Sequence, residues 1–221
     1  MNFLNIYASP NQFFTKLAEK PIWLIPLIIV TIISVLLSVV AIAKTDWEEQ
    51  KAKVREMMEK QNVPEERIER VLNALNPKTG FLRGIIAVMI IAPLGILVFA
   101  SILNLLMPLL GTASSFKKTF AVAANSALIR IPAGIVKACL MLIKNTAFVS
   151  TSLILFFPKM SDKGFLYGLF SRIDFFTIWE LILVGLGLKV LFNISDKKTY
   201  YVVFGIWLLY IIISSLSRAP L

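Results

Sequence analysis

The sequence predicts an all-α fold: a polytopic membrane helix bundle of about five transmembrane helices, with an extramembrane helical hairpin between the first and second. Three observations predict it. The chain is 57% hydrophobic and only 16% charged, whereas a soluble domain is nearer 25% charged. Several apolar runs are long enough to cross a bilayer. A single long polar segment, 44–80, interrupts them.

The apolar runs divide the chain into spans, since a membrane-crossing helix needs about 20 mostly apolar residues. Residues 22–43 carry no charge, and neither do residues 84–110 within the second run. We expect an amphipathic N-terminal segment at 1–21, transmembrane helices at 22–43, 81–110, 172–194 and 199–217, a polar helical hairpin at 44–80, a broken transmembrane helix at 117–143, and a loop with an interfacial or re-entrant apolar segment at 144–171.

The segment before the first span is expected to form an amphipathic helix. Phe13, Phe14 and Leu17 recur at helical spacing, whereas Lys16 and Glu19 lie on the more polar side. The apolar run that follows starts too late and is too long for the core of a signal peptide. We therefore expect it to remain as a membrane span.

The polar segment 44–80 contains eight basic and eight acidic residues, so the net charge of +10 is carried by the rest of the chain. Thr45 and Glu48 have capping-box spacing for a first helix. Pro64 opens a second helix with acidic residues in its first turn. Each helix has an apolar face. The two faces either close on each other as a hairpin or offer a docking surface to a partner.

The middle of the chain permits two divisions into helices. The run 117–143 is apolar but holds Arg130, Pro132 and Lys137, and the apolar run 147–158 is too short to cross alone. The first division breaks one span near Pro132 and leaves 147–158 at the interface or dipping into the membrane. The second starts a helix at Pro132 and continues it to Phe157.

The orientation in the membrane is left open by the charge distribution. Counting Lys and Arg alone places the hairpin side in the cytoplasm. The balanced charge of the hairpin instead favours a cytoplasmic N-terminus.

Charged residues inside the predicted spans are the candidate functional residues. Arg130 and Lys137 are seven residues apart and therefore share one helix face. The fourth span offers Asp174 near its start and Glu180 further inside. An unpaired charge at the bilayer centre costs roughly 2.5–3.5 kcal/mol. We therefore expect the basic stripe to pair with Glu180 or Asp174.

Three interpretations of this pairing remain open. A structural ion pair that fixes helix register is the least demanding, because register setting is the best-attested use of buried ionic groups. A proton or ion relay is the second. A site that faces a partner protein is the third.

The sequence excludes several chemistries. It contains no histidine, and Cys139 is its one cysteine, so histidine triads, zinc sites and disulfides are ruled out. We predict no catalytic residues, no cofactor and no metal site. The basic residues cluster at span ends, which favours attraction to anionic lipid over nucleic acid.

Three motifs resemble the Yip family, the Ypt/Rab-interacting membrane proteins. The first is similar to the family's fourth-span pattern and comprises Asp174, Phe175, Ile178, Trp179, Leu183, Gly185 and Leu186. The second resembles its entry into the first span, with Pro10, Phe14, Pro21, Trp23 and Pro26. The third resembles its third span, with Phe116, Phe120 and Pro132.

The resemblance implies a five-span membrane protein with a cytoplasmic N-terminus and no known chemistry. Eukaryotic members bind Rab GTPases in vesicle traffic and carry Asp-Leu-Tyr-Gly-Pro before the first span. Here that stretch is Leu-Ala-Glu-Lys-Pro, 17–21, so Rab binding is not carried over. The inserted hairpin is more similar to the bacterial branch, which implies a multi-pass protein of the bacterial plasma membrane.

The leading functional hypothesis is a non-enzymatic protein that associates with other membrane proteins, with copies of itself or with lipid. The alternative is a small transporter or channel subunit that uses Arg130, Lys137, Asp174 and Glu180.

Overall fold

A computed structural model describes residues 2–160 and 164–216. Within these residues the regular elements are helices, and five of them are long and apolar enough to cross a membrane. The predicted all-α bundle with five spans is therefore confirmed. Met1, residues 161–163 and Ser217, which fall within predicted segments, lie outside the described part of the chain.

The α-helices are numbered in chain order. They are α1 (Asn5–Ala8), α2 (Pro10–Glu19), α3 (Leu24–Ala43), α4 (Trp47–Lys60), α5 (Glu65–Ala74), α6 (Pro77–Leu106), α7 (Phe116–Ser126), α8 (Arg130–Lys144), α9 (Phe165–Phe170), α10 (Phe175–Phe192) and α11 (Asp196–Leu216). Short 3-10 helices cover Met107–Leu110, Ala127–Ile129 and Leu153–Phe156. The spans are α3, α6 with its 3-10 turn, α7 with α8, α10, and α11.

Helix α7 forms the centre of the bundle. Every residue of 119–129 is buried, and α7 packs against α2, α3, α6 and α10. Its buried face is rich in alanine, including Ala121, Ala123 and Ala124. Small residues allow neighbouring helix backbones to approach closely, which is the main source of packing between helices inside lipid.

The N-terminal helices belong to this bundle and do not lie apart from it. Helix α2 packs against α10, and the side chains of Phe13, Phe14 and Leu17 are fully buried there. Tyr7 of α1 lies deeper, with its ring 6.2 Å from that of Trp179. Gly187, which faces Phe14, lies eight residues after Trp179, or about 12 Å along the helix. The N-terminal segment therefore runs alongside α10 for part of its length.

Two backbone carbonyls accept a hydrogen bond from a side chain of another segment. Proline has no N–H, so the carbonyl four residues earlier loses its helical donor. For Pro132 that carbonyl belongs to Leu128, and the Tyr7 hydroxyl donates to it at 2.7 Å. The second carbonyl belongs to Ile22, which precedes the N-cap of α3, and the side-chain amide of Asn125 donates to it at 2.7 Å. These bonds connect the N-terminal segment and α3 to the central helix.

The polar segment folds as a hairpin of α4 and α5. Its first N-cap is Asp46, whose carboxylate accepts from the backbone N–H groups of Glu48 and Glu49. The predicted cap at Thr45 is wrong, because the Thr45 hydroxyl donates to the Ala41 carbonyl at the end of α3. The apolar faces close in part: Ile68 and Leu72 are buried, whereas Met57 is exposed.

Arg55 of α4 joins the two hairpin helices. Its guanidinium donates to Glu65 at 2.7 Å and also to Glu69, both on α5. The hydrogen bond to Glu65 and then that to Glu69 raise the pKa of Arg55 above its ordinary value, so its charge is fixed.

The segment after α8 does not continue as a helix. Asn145 adopts the left-handed conformation that ends α8, and the alternative helix from Pro132 to Phe157 is therefore wrong. The following chain turns back to the bundle: Ala147 donates to the Lys44 carbonyl at the end of α3, and Leu153 donates to the Ile173 carbonyl before α10. The loop thus lies at the hairpin side, against the start of α10.

Candidate functional site

Arg130 and Glu180 form an ion pair between two spans. Arg130 begins α8, directly after the 3-10 helix that contacts α10, and Glu180 lies in the second turn of α10. Nη2 of Arg130 is 2.9 Å from Oε1 of Glu180, and Nε is 3.2 Å from Oε2. The two parallel bonds are the bidentate geometry that guanidinium and carboxylate favour. Each side chain thus supplies the countercharge that the other needs inside a bilayer.

Asp174 is a helix cap and not the countercharge of the basic stripe. It is the N-cap of α10, and its Oδ1 accepts from the backbone N–H of Phe176 at 2.8 Å and of Thr177 at 3.3 Å. The Thr151 hydroxyl donates to its other oxygen. The structure therefore does not pair Asp174 with Arg130 or Lys137. Its charge is stabilised by hydrogen bonds and by the positive end of the α10 dipole.

Lys137 lies two turns beyond Arg130 on the same face of α8. No hydrogen bond or ion pair to it occurs within residues 2–160 and 164–216. Lys189, at the opposite end of α10, pairs instead with Asp196 at 2.9 Å. Lys137 is thus a half-buried cation in a span with no countercharge in direct contact.

All four candidate residues line one cavity of about 760 Å³, which we call the lateral cavity. Its floor is formed by α8 and α10, and its walls by α6 and α11. The cavity exists because α6 packs against α3 and α7, while α11 packs against α9 and α10.

The α6 wall is apolar and outward-facing. Its side chains recur every three or four residues, at Ile91, Leu94, Val98 and Ile102, and each is at least 41% exposed. Gly95 lies on the same wall, and a Cβ built there would meet no atom within 4 Å. The lateral cavity is therefore open on the surface that faces the lipid.

The family-motif residues have packing and capping positions. Pro10 occupies the first turn of α2, and Pro21 lies in the link between α2 and α3. Trp179 contacts Tyr7 and the exposed ring of Phe175. Gly185 and Gly187 allow close approach. A Cβ at Gly185 would lie 2.4 Å from the Tyr200 ring, and one at Gly187 would lie 2.7 Å from Val122 and 2.8 Å from the Phe14 ring.

Sequence reasoning missed Tyr7, Asn125 and Thr151. A usable signal exists for Tyr7: a proline within a helical run frees the carbonyl four residues earlier, which calls for a polar side chain from elsewhere. For Asn125 we find none, because the Ile22 carbonyl that it bonds precedes α3. For Thr151 we find no such signal, because its contact with Asp174 depends on how the loop folds back. No group of three potential metal ligands occurs among the described residues.

The sequence profile of the Yip1 domain matches residues 4–217. No curated protein and no solved structure matches the chain.

Proposed function

Because the chain belongs to the Yip1-domain family, whose members are multi-pass membrane proteins, we propose that it acts by association, without catalysis, and binds another membrane component in the lateral cavity. The observation that carries this proposal is the composition of the cavity. Apolar walls open toward lipid, whereas the floor presents Arg130, Lys137, Asp174 and Glu180. Such a surface matches an amphipathic ligand that remains in the membrane.

The bonding of the charged groups supports a binding role over a catalytic one. Arg130 and Glu180 bond to each other, and Asp174 accepts three hydrogen bonds. A general base must be within reach of the proton that it removes, and both carboxylates are already engaged. The basic residues at the span ends add attraction to anionic lipid surfaces.

Site-specific crosslinking in native membranes tests this function. A photoreactive residue in place of Val98, on the cavity wall, should form adducts with a protein or lipid. The matched control is Ile135, which is 59% exposed on α8 but does not line the cavity. Adducts of equal yield at both positions would reflect general lipid contact and would contradict the proposal.

A transporter or channel subunit is the second candidate, favoured by the presence of four charged residues around one cavity between the spans. Here Glu180 would exchange a proton or ion with the cavity. Solute or ion flux into proteoliposomes, abolished by Glu180→Gln, would establish this function. Absence of flux above protein-free vesicles, across a panel of ions and small solutes, would exclude it.

A further inference from the structure

We propose that the lateral cavity holds one anionic phospholipid, with its phosphate on Lys137 and an acyl chain along the α6 wall. This inference rests on the proposed function and specifies its ligand. It differs from a general attraction of lipid to basic span ends, because it assigns one molecule to one site.

The pairing of the charged side chains in the cavity leaves one cation for an anion. Glu180 is neutralised by Arg130 through two hydrogen bonds. Asp174 is held by the α10 N-terminus and Thr151. The two basic and two acidic side chains at the cavity sum to a formal charge of zero, but Lys137 has no direct partner among the described residues and is the group with which an anion can pair. A phosphate is the anionic group that a membrane supplies, and an ammonium group binds it as a point charge.

The depth of the cationic groups fits the layout of a phospholipid. Lys137 lies seven residues from Lys144 at the end of α8, or about 10 Å of helix. Arg130 lies a further seven residues in. Its Nη1 makes no hydrogen bond within the described residues and is available to the ester carbonyls below the phosphate.

The apolar wall continues in the same direction. From Ile91 to Ile102 it extends for eleven residues, or about 16 Å at 1.5 Å per residue. An acyl chain lying on this wall would cover side chains that otherwise leave a gap between α6 and α11. Burial in such a groove favours binding in proportion to the contact that is made.

Two variants test the site, one by removing its charge and one by filling its space. Lys137→Gln removes the charge, with Lys144→Gln as the control, because Lys144 has the same side chain on the same stripe but lies outside the cavity. Gly95→Leu places a side chain into the open space of the cavity. Gly205→Leu is its control: a Cβ at Gly205 also meets no atom within 4 Å, and Gly205 does not line the cavity.

The experiment is native mass spectrometry of the full chain, released from micelles that contain equal amounts of dioleoyl-phosphatidylglycerol and dioleoyl-phosphatidylcholine. We expect wild type to retain one phosphatidylglycerol in preference to phosphatidylcholine. Lys137→Gln and Gly95→Leu should each lower the lipid-bound fraction about tenfold, as expected for loss of one charge-assisted contact or of the groove. Both control variants should bind as wild type does.

The outcomes separate this inference from the function on which it rests. Equal lipid retention by wild type and both cavity variants overturns the lipid site. Protein adducts at Val98 without retained lipid also overturn it, while leaving association as the function. Absence of both Val98-specific adducts and retained lipid overturns the proposed function as well. If one variant is unfolded, as judged by gel filtration, the other still decides between the outcomes.

Discussion

The hairpin and the spans use the same ion-pair chemistry in different surroundings. In the hairpin, Arg55 pairs with Glu65 and Glu69, and all three side chains are more than a third exposed. In the spans, Arg130 pairs with Glu180; their side chains are 41% and 16% exposed, and both line the lateral cavity between spans. Water screens the first set and replaces any bond that is lost. Lipid offers no replacement for the second. The cost of breaking an ion pair therefore depends on what surrounds the charge that remains.

The largest effect is expected for Glu180→Leu, because it leaves Arg130 without a countercharge inside the membrane. We expect the free energy of unfolding, measured by SDS titration in mixed micelles, to fall by about 3 kcal/mol. The double variant Arg130→Met, Glu180→Leu should recover most of this loss, since neither charge remains. Equal destabilisation of the single and double variants would show that lost packing, and not an unpaired charge, lowers the free energy of unfolding.

A large effect is also expected for Gly187→Ala, which tests packing in place of charge. The new methyl would lie 2.7 Å from Val122 and 2.8 Å from the Phe14 ring, so α2 must shift away from α10. Overpacking of this kind costs about 1–3 kcal/mol. Gly205→Ala, in α11, has free space around it and should be neutral or slightly stabilising. The midpoint of thermal unfolding in detergent would distinguish the two, and equal midpoints would argue against close packing of α2 on α10.

A moderate effect is expected for Tyr7→Phe, which removes the donor to the Leu128 carbonyl. The loss of one part-buried hydrogen bond should lower the free energy of unfolding by about 1 kcal/mol. Tyr201→Phe is the control, because Tyr201 is 76% exposed. The same SDS titration measures both variants. If both behave as wild type, the Leu128 carbonyl has another donor in the membrane.

The smallest effect is expected for Arg55→Ala in the hairpin. Its pairs are exposed, so the change in unfolding free energy should be smaller than that for Tyr7→Phe, and it should disappear at high salt. Measurement of the thermal midpoint at low and high salt checks this expectation. A loss as large as that for Glu180→Leu would show that the hairpin is shielded from water, which would favour a docked partner on its surface.

The same contrast explains how much could be predicted from the sequence. The spans are readable because lipid imposes a minimum length of apolar helix, and 22–43 and 84–110 meet it without a charge. Arg130 and Glu180 stand out for a related reason: each is costly alone in lipid, and they lie 2.9 Å apart in the structure.

Features that depend on the path of loops could not be predicted from sequence patterns. The sequence predicts Asp174 as a possible partner of the basic stripe, but it caps α10, because the helix begins at the following residue. The cap at Asp46 in place of Thr45 is a difference of one position, which sequence spacing does not resolve. The lateral cavity depends on which helices pack against α6 and α11, and no local sequence pattern predicts that packing.

The docking of the N-terminal segment has a consequence for biogenesis. Phe13, Phe14 and Leu17 leave the ribosome more than 150 residues before the helix on which they pack, α10, is synthesised. Until then these apolar side chains lack the partner that covers most of them, and the bilayer surface or a chaperone must shield them from water. Closure of the bundle around Tyr7 and Phe14 is therefore a late step of insertion, and we expect bulky substitutions in α1 or α2 to delay it.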